Sequence, residues 1–332
     1  MNLEDYISVE RLQVYVDVLK LKPEEALAGY NWNKTLSSAM QPVMHCLEVT
    51  LRNSIDYCIR HNPPPGAKDI YRTDKNWIFD LPRHMGDKEF IRQNKRYKLD
   101  SQGQIKYLPN GSPVYNFTTW EEKAIRKVSA RITKAGKTIT AERVISGLDL
   151  GFWTNLLCKG YEEPRTLSIL WPNLLPHVFP GAPKGTKRHI IERKLNQIRE
   201  LRNRLSHHEA IWKFQYEDSN GNPDYNQPVY GLNASLALLN KAYNNMLEVL
   251  SWISPDRYAA FLTEGHHLRF RTLCSLDGLH SFTRPTKIHN SLNVRQSPEV
   301  KVILKRMDRQ KTLRLMDRKT IIAVIGADFI RY

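Results

Sequence analysis

TKRHIIERKLNQIRELRNRLSHH, residues 186–208, places apolar side chains at Ile191, Leu195, Ile198, Leu201 and Leu205. That periodicity puts one apolar stripe on an α-helix. No glycine occurs between Gly185 and Gly221 and no proline between Pro183 and Pro223, so nothing in the composition stops the helix early; Thr186 is the predicted N-cap. At about 100° per residue, Arg202 projects into the stripe between Leu195 and Ile198, whereas Asn203 and His207 share a different flank. An inward arginine requires a partner.

The end of this stretch, Arg202-Asn203-Arg204-Leu205-Ser206-His207-His208, gathers a fixed cation, an amide and two imidazoles onto one continuous predicted helix. A histidine near its ordinary pKa can take a proton from a ribose 2′-hydroxyl, and an arginine that never deprotonates can stabilise charge on a phosphate. The plainer alternative makes Arg202 a structural ion-pair member and the histidines a solvated helix end. Zinc finds no support in the sequence, because His207-His208 and His266-His267 are adjacent pairs rather than i, i+4 ligands, and no Walker A or GxGxxG loop is present. No cofactor is called for.

Arg202-Asn203, followed by His207 after three residues and His208 after four, resembles the signature of HEPN-superfamily ribonucleases. With Glu209-Ala210-Ile211-Trp212 added, the pattern is similar to the Abi-like (abortive infection) branch. Ser8–Leu12 (SVERL), Tyr30–Ser37 (YNWNKTLS), Leu47–Asn53 (LEVTLRN) and Gly151–Leu157 (GFWTNLL) resemble further blocks of that family in the same order. The resemblance ends near residue 265. It implies an endoribonuclease acting as a toxin or antiphage effector. In that chemistry His207 is the general base, Arg202 stabilises the phosphorane, and Asn203 orients His207 or the phosphate. Because Arg202 and His207 are about 140° apart on an ideal helix, and because HEPN relatives pair two motif helices, the resemblance also implies a homodimer with a composite cleft. RNA is the implied substrate, tRNA among the candidates, and a protein antitoxin or inhibitory RNA is a candidate regulator. The alternatives are a catalytically silent RNA-binding or partner-binding module and a structural partner of a nucleotidyltransferase.

Charge agrees with a polyanionic partner. The 332 residues carry 50 Lys+Arg against 34 Asp+Glu, a formal charge of +16. Residues 265–332 hold 14 of those cations and 5 of the acids, which serves a binding face or a merely solvated one. Four cysteines without paired spacing fit a reducing, cytoplasmic compartment. The acid-bearing start gives no expectation of a signal peptide, and no apolar run approaches the ~20 residues of a membrane helix.

Elsewhere helical patterns dominate and predict an all-α, HEPN-like bundle over 1–265. An irregular insertion at 61–118 interrupts it, and a basic carboxyl-terminal extension follows at 266–332. Residues 8–20 read as a short helix and Pro23 as the first turn of a second. Leu36, Met40, Val43, Leu47 and Leu51 mark a long third helix, kinked or restarted at Pro42. On this helix Glu48 and Arg52 form either a surface i, i+4 pair or, if the helix packs against the 186–208 helix, Glu48 neutralises Arg202. Arg52-Asn53 mimics the start of the signature without a following histidine. The insertion reads as mostly exposed, with a hairpin turn at Pro109-Asn110-Gly111 and candidate RNA-stacking and RNA-pairing residues Arg92, Lys95, Arg96, Tyr97 and Lys98. Helices are predicted at 120–131, 141–146, 152–158 and 232–252. A further helix starts at Ser297-Pro298-Glu299, carrying Lys301, Lys305, Arg306 and Arg309 away from its apolar side; with Arg204 these are the candidate RNA-binding cations. Ile321–Ile325 reads as a strand or buried helix. This end is an RNA-binding element, a dimer arm or a cover for the core.

Overall fold

The computed structural model describes residues 6–67, 70–81, 101–102, 104–107, 109, 111, 114, 120–162, 169–217, 223–284, 298–310, 313–317 and 320–325. The chain divides into two compact units, Met1–Thr283 and Arg284–Tyr332.

The first unit is helical. Helix α1 spans Val9–Asp17 and is capped by the Ser8 hydroxyl, which accepts from Arg11 N. Pro23–Glu25 form a 3-10 turn that runs straight into α2, Ala26–His61. The separate second helix read from Pro23 is therefore the first turn of the long one, and α2 passes through Pro42 without restarting. Its apolar face, Leu36, Met40, Val43, Leu47, Leu51, Ile55 and Ile59, is fully buried. Around it pack α1, α9 (Leu232–Ile253), α11 (His266–Leu273) and α12 (Leu276–Thr283). Most of the circumference of α2 is covered in this way, with an exposed stripe through Val49, Asn53 and Tyr57, and the buried apolar faces are what make a 36-residue helix stable. Since α11 and α12 belong to this wrapping, the first unit continues past residue 265 to Thr283.

The segment after α2 is not merely an exposed insertion. Ile70, Ile78 and Leu81 are buried, and Trp77, in α3 (Trp77–Asp80), packs edge-on against Trp153. Trp77 Nε1 donates to Asp56 Oδ1 at 2.9 Å, and Asp56 Oδ2 accepts from Arg60 at 3.0 Å. The predicted hairpin has Val114 N donating to Lys106 O at 2.7 Å, with Gly111 at φ +78° in the turn. Arg92, Lys95, Arg96, Tyr97 and Lys98 lie outside the described residues.

Helices α4 (Trp120–Lys134) and α5 (Ala141–Gly147) follow the sequence reading closely, whereas α6 (Leu150–Asn155) starts two residues before and ends three before the predicted 152–158. After the short α7 (Leu175–Val178) comes α8, Arg188–Ser206, the signature helix, which packs on α6 and α9. A two-stranded hairpin, β1 (Gln215–Glu217) against β2 (Pro223–Pro228), follows it, and α10 (Pro255–Thr263) links α9 to α11.

Among the described residues, the second unit consists of α13, Pro298–Gln310, and an antiparallel hairpin, β3 (Leu313–Asp317) with β4 (Thr320–Ile325). Ile321–Ile325 is thus a strand. Lys301 and Lys305 are exposed on α13; Arg306 and Arg309 belong to the same helix, and their side chains lie outside the described residues. Among described residues no helix is long and apolar enough to cross a membrane.

The Asp56 carboxylate ties the segment after α2 to the bundle. Asp56→Ala leaves a buried indole N–H and a largely covered arginine without their acceptor, and should cost about 3 kcal/mol in urea unfolding. A loss under about 1 kcal/mol would mean that apolar packing alone holds Trp77.

Candidate functional site

Helix α8 buries Arg188, Ile191, Leu195, Ile198, Leu201 and Leu205. Its paired buried arginine is Arg188, at the opposite end from the signature. Arg188 Nε meets Glu162 at 2.7 Å, and its Nη1 contacts Glu192 and the Leu157 carbonyl. Arg188 and Arg202 lie only about 40° apart on the helical wheel, so the same face carries a cation at each end. The first is enclosed, whereas Arg202 is half-buried at the rim. Arg188 lies about 20° from Leu195 on the wheel, so the spacing that pointed Arg202 inward also marked Arg188, which sequence reasoning passed over because it stands outside the signature.

The helix ends sooner than its composition predicts. It begins at Arg188, with Lys187 rather than Thr186 at the N-cap, and closes at Ser206. His208 N donates to Leu205 O at 3.2 Å and Glu209 N to Arg204 O at 2.9 Å, the paired bonds of a Schellman ending. The position that usually holds glycine is occupied by His208 at φ +55°. The absence of glycine therefore did not extend the helix. Ile211 and Trp212 are completely buried, so the chain must turn back into the core at this point, and histidine tolerates the left-handed region better than branched residues do. His207 keeps one helical bond, its N–H reaching Asn203 O at 3.0 Å, and both side chains are exposed.

Four neighbours fix this turn. Asn33, buried in α2, donates from Nδ2 to Glu209 O and accepts Ile211 N–H at Oδ1, each at 3.1 Å. Arg11 of α1 donates to His208 O at 3.2 Å. Tyr15 packs edge-on against Trp212 with centroids 5.1 Å apart. Arg204 turns inward to the Lys213 carbonyl and to Gln215 Oε1, and lies over the Phe214 ring. Burial pushes the Arg204 pKa down, while Glu200 and Glu209 pull it up. Arg204 therefore braces the turn and the hairpin, a role the sequence did not reveal.

Glu48 lies within electrostatic reach of Arg202. Burial raises its carboxyl above the ordinary 4.5; Arg202 is the strongest opposing influence, Asp149 adds to the rise, and Arg52 and His45 weakly oppose it. Neither Arg202 nor Arg52 comes within ion-pair distance of Glu48 among the described residues. Helices α2 and α8 do not pack directly along their lengths, since α6 sits against both. The Asp149 carboxylate caps α6 by accepting Phe152 N–H at 3.1 Å, and a Cβ on Gly151 would come within 3.8 Å of Arg199 Cδ. The expected direct pair is thus a looser cluster of Glu48, Asp149, Arg202, Arg52 and His45. Arg52 Nε donates to Asn53 Oδ1 at 3.2 Å, and Asn53 is exposed.

Two clefts border the end of α8. One, of about 430 Å³, includes Arg11, Tyr30, His208, Glu209, Lys213 and Tyr225. The other, of about 570 Å³, follows the α8 flank of Arg193, Glu200 and Arg204 and faces Lys241. Arg202, Asn203 and His207 line neither of them, so the two adjacent imidazoles serve different surroundings.

Each block involved, Arg11, Asn33, Glu48, Gly151 and the signature itself, falls within residues 7–213, which match the family model for Abi-like protein. The chain belongs to the Abi-like protein family. No curated protein and no solved structure matches it. The match ends at Lys213, immediately after Trp212 has been anchored, so the Abi-like region closes with the turn that Asn33 holds.

Two outcomes follow from this geometry. Asn33→Ala strands a carbonyl and a buried N–H, and should lower stability by about 1–3 kcal/mol, read by chemical denaturation; an unchanged midpoint would sink the clamp. A carboxyl whose pKa is raised on folding contributes stability below its unfolded value and loses it as pH rises through the folded value. Glu48→Gln should therefore melt higher than the parent at pH 7, with the difference vanishing below the ordinary 4.5. The opposite order at pH 7 would mean that attraction to Arg202 outweighs burial.

Proposed function

We propose that this Abi-like chain is a metal-independent endoribonuclease acting as an abortive-infection toxin. The observation that carries the reading is the convergence of the family-like blocks on the last turn of α8. There Asn203 and His207 stand exposed one turn apart and Arg202 sits at the rim without a bound carboxylate.

His207 removes the proton from the 2′-hydroxyl of a ribose. The 2′-oxygen attacks the adjacent phosphorus, and Arg202 offsets the charge gathering on the phosphorane. Asn203 holds the phosphate or His207. The bond from phosphorus to the 5′-oxygen breaks, and that oxygen takes a proton from a histidine of a second copy of the chain. The products are a 2′,3′-cyclic phosphate and a 5′-hydroxyl end. A composite dimer site is supported by the roughly 140° between Arg202 and His207 on one helix and by their placement, with Asn203, outside both clefts described above. A homodimer acting on RNA in the cytoplasm follows, with an antitoxin protein or RNA as its restraint.

Cleavage of total RNA by the purified protein should persist in EDTA and yield those ends. His207→Ala should lower the rate by about a hundredfold or more, and His208→Ala should have the milder effect. Mixing Arg202→Ala with His207→Ala protomers should recover part of the activity if the site is shared. Strict dependence on a divalent ion, or 5′-phosphate ends, would overturn the mechanism. Intact RNA binding without cleavage would instead favour a silent RNA-binding module.

A further inference from the structure

The cleft of about 430 Å³ beside the signature is large enough for a single nucleotide, within the usual range of small-ligand pockets. Its walls come from four separate places: α1 through Arg11, α2 through Tyr30, the turn through His208 and Lys213, and β2 through Tyr225.

Three cations border it. Arg11 donates to a backbone carbonyl, Arg204 to a carbonyl and an amide oxygen, and none of Arg11, Arg204 and Lys213 forms an ion pair with a carboxylate among the described residues. Neutral acceptors position these groups without cancelling their charge. Of the two acids on the rim, Glu10 is turned to the Ser8 hydroxyl and its own backbone. Against three cations these two acids leave the cleft net positive by one charge.

The ring that closes the cleft is the unusual one. Tyr225 is 71 % exposed in a strand whose neighbours are Asp224 and Asn226. Such a residue contributes nothing to a core. An exposed ring above fixed cations is how proteins hold unpaired bases, the ring stacking on the base and the cations meeting the backbone.

We infer that the cleft bounded by Tyr225, Tyr30, Arg11, Lys213 and His208 binds one unpaired nucleotide of a single-stranded RNA, next to the scissile phosphate. This rests on the ribonuclease reading only for what is cut; the binding itself does not require it. The base stacks on Tyr225, and its phosphate meets Arg11 and Lys213. His208 thereby acquires a role distinct from that of His207, as a wall of the nucleotide site.

The test is fluorescence anisotropy of the full chain with a short, labelled, single-stranded 2′-O-methyl oligonucleotide, which lacks the nucleophile and cannot be cleaved by transesterification. Tyr225→Ala should weaken binding about tenfold, whereas Tyr225→Phe, which keeps the ring, should bind like the parent. Tyr216→Ala, on the same hairpin but outside the cleft, should leave affinity unchanged. The duplex form should bind more weakly than the single strand. Because Tyr225 is exposed, its variants should keep the parent melting temperature. No measurable binding by the parent, equal affinity for the duplex, or parent-like affinity in Tyr225→Ala would overturn the assignment. Tyr225-dependent binding in a protein that cuts no RNA leaves the cleft standing and removes the nuclease. Cleavage that Tyr225→Ala leaves untouched does the reverse.

Discussion

One buried amide governs the end of the signature helix. Asn33 sits in the middle of the helical bundle and satisfies both the carbonyl of Glu209 and the N–H of Ile211, two backbone groups that would otherwise be desolvated without partners. With these fixed, Trp212 enters the core against Tyr15, and the chain between Ser206 and Ala210 has one short path to follow. That path needs a residue in the left-handed region, and His208 takes it. A non-glycine residue stays in that region because Arg11 holds the His208 carbonyl and Asn33 holds the backbone of Glu209 and Ile211 that follows it. The direction of His208, the separation of the two imidazoles and the placement of Lys213 all descend from this clamp.

Much of the bundle was legible from periodicity. The stripe Ile191, Leu195, Ile198, Leu201, Leu205 and the α2 face are buried as the spacing requires, because a regular helix converts sequence spacing directly into direction. Helix ends were less legible. The Schellman turn at His208 left no glycine to mark it, and the Pro23 turn fused with α2 because proline is tolerated at a helix start. Of the long-range pairings, only the neighbourhood of Glu48 and Arg202 was anticipated, and there as a direct ion pair rather than a looser cluster. Nothing near Asn33 announces Ile211, 178 residues away, and nothing near Asp56 announces Trp77. The signature residues were found because they lie together in sequence, while Arg11, Asn33, Asp149 and Arg188 were missed because their partners lie elsewhere in the chain.

Arginine placement shows how one residue type is put to three uses on a single helix. Arg188 is enclosed and paired with Glu162 and Glu192, so its charge is spent on structure. Arg204 is largely covered yet held by a carbonyl and an amide, which orient it and leave its field directed at the neighbouring clefts. Arg202 is half-buried with Glu48 nearby but beyond ion-pair distance. The depth of each guanidinium and the charge of its acceptors, rather than the sequence around it, separate these roles.

For Arg202 that intermediate state has a consequence. A carboxylate in bidentate contact would have to be displaced before a phosphate could bind, at a cost close to that of breaking a buried ion pair. Glu48 instead carries a carboxyl whose burial resists ionisation more strongly than Arg202 promotes it, with Asp149 adding to the resistance. Glu48 therefore attracts the guanidinium only weakly, and on the proposed ribonuclease reading an incoming phosphate oxygen competes against water and a reluctant acid. On the proposed ribonuclease reading, the stability lost by burying Glu48 is the counterpart of a positive charge left available at the rim of the helix end, a trade of the kind found where a binding group stays unsatisfied until its ligand arrives.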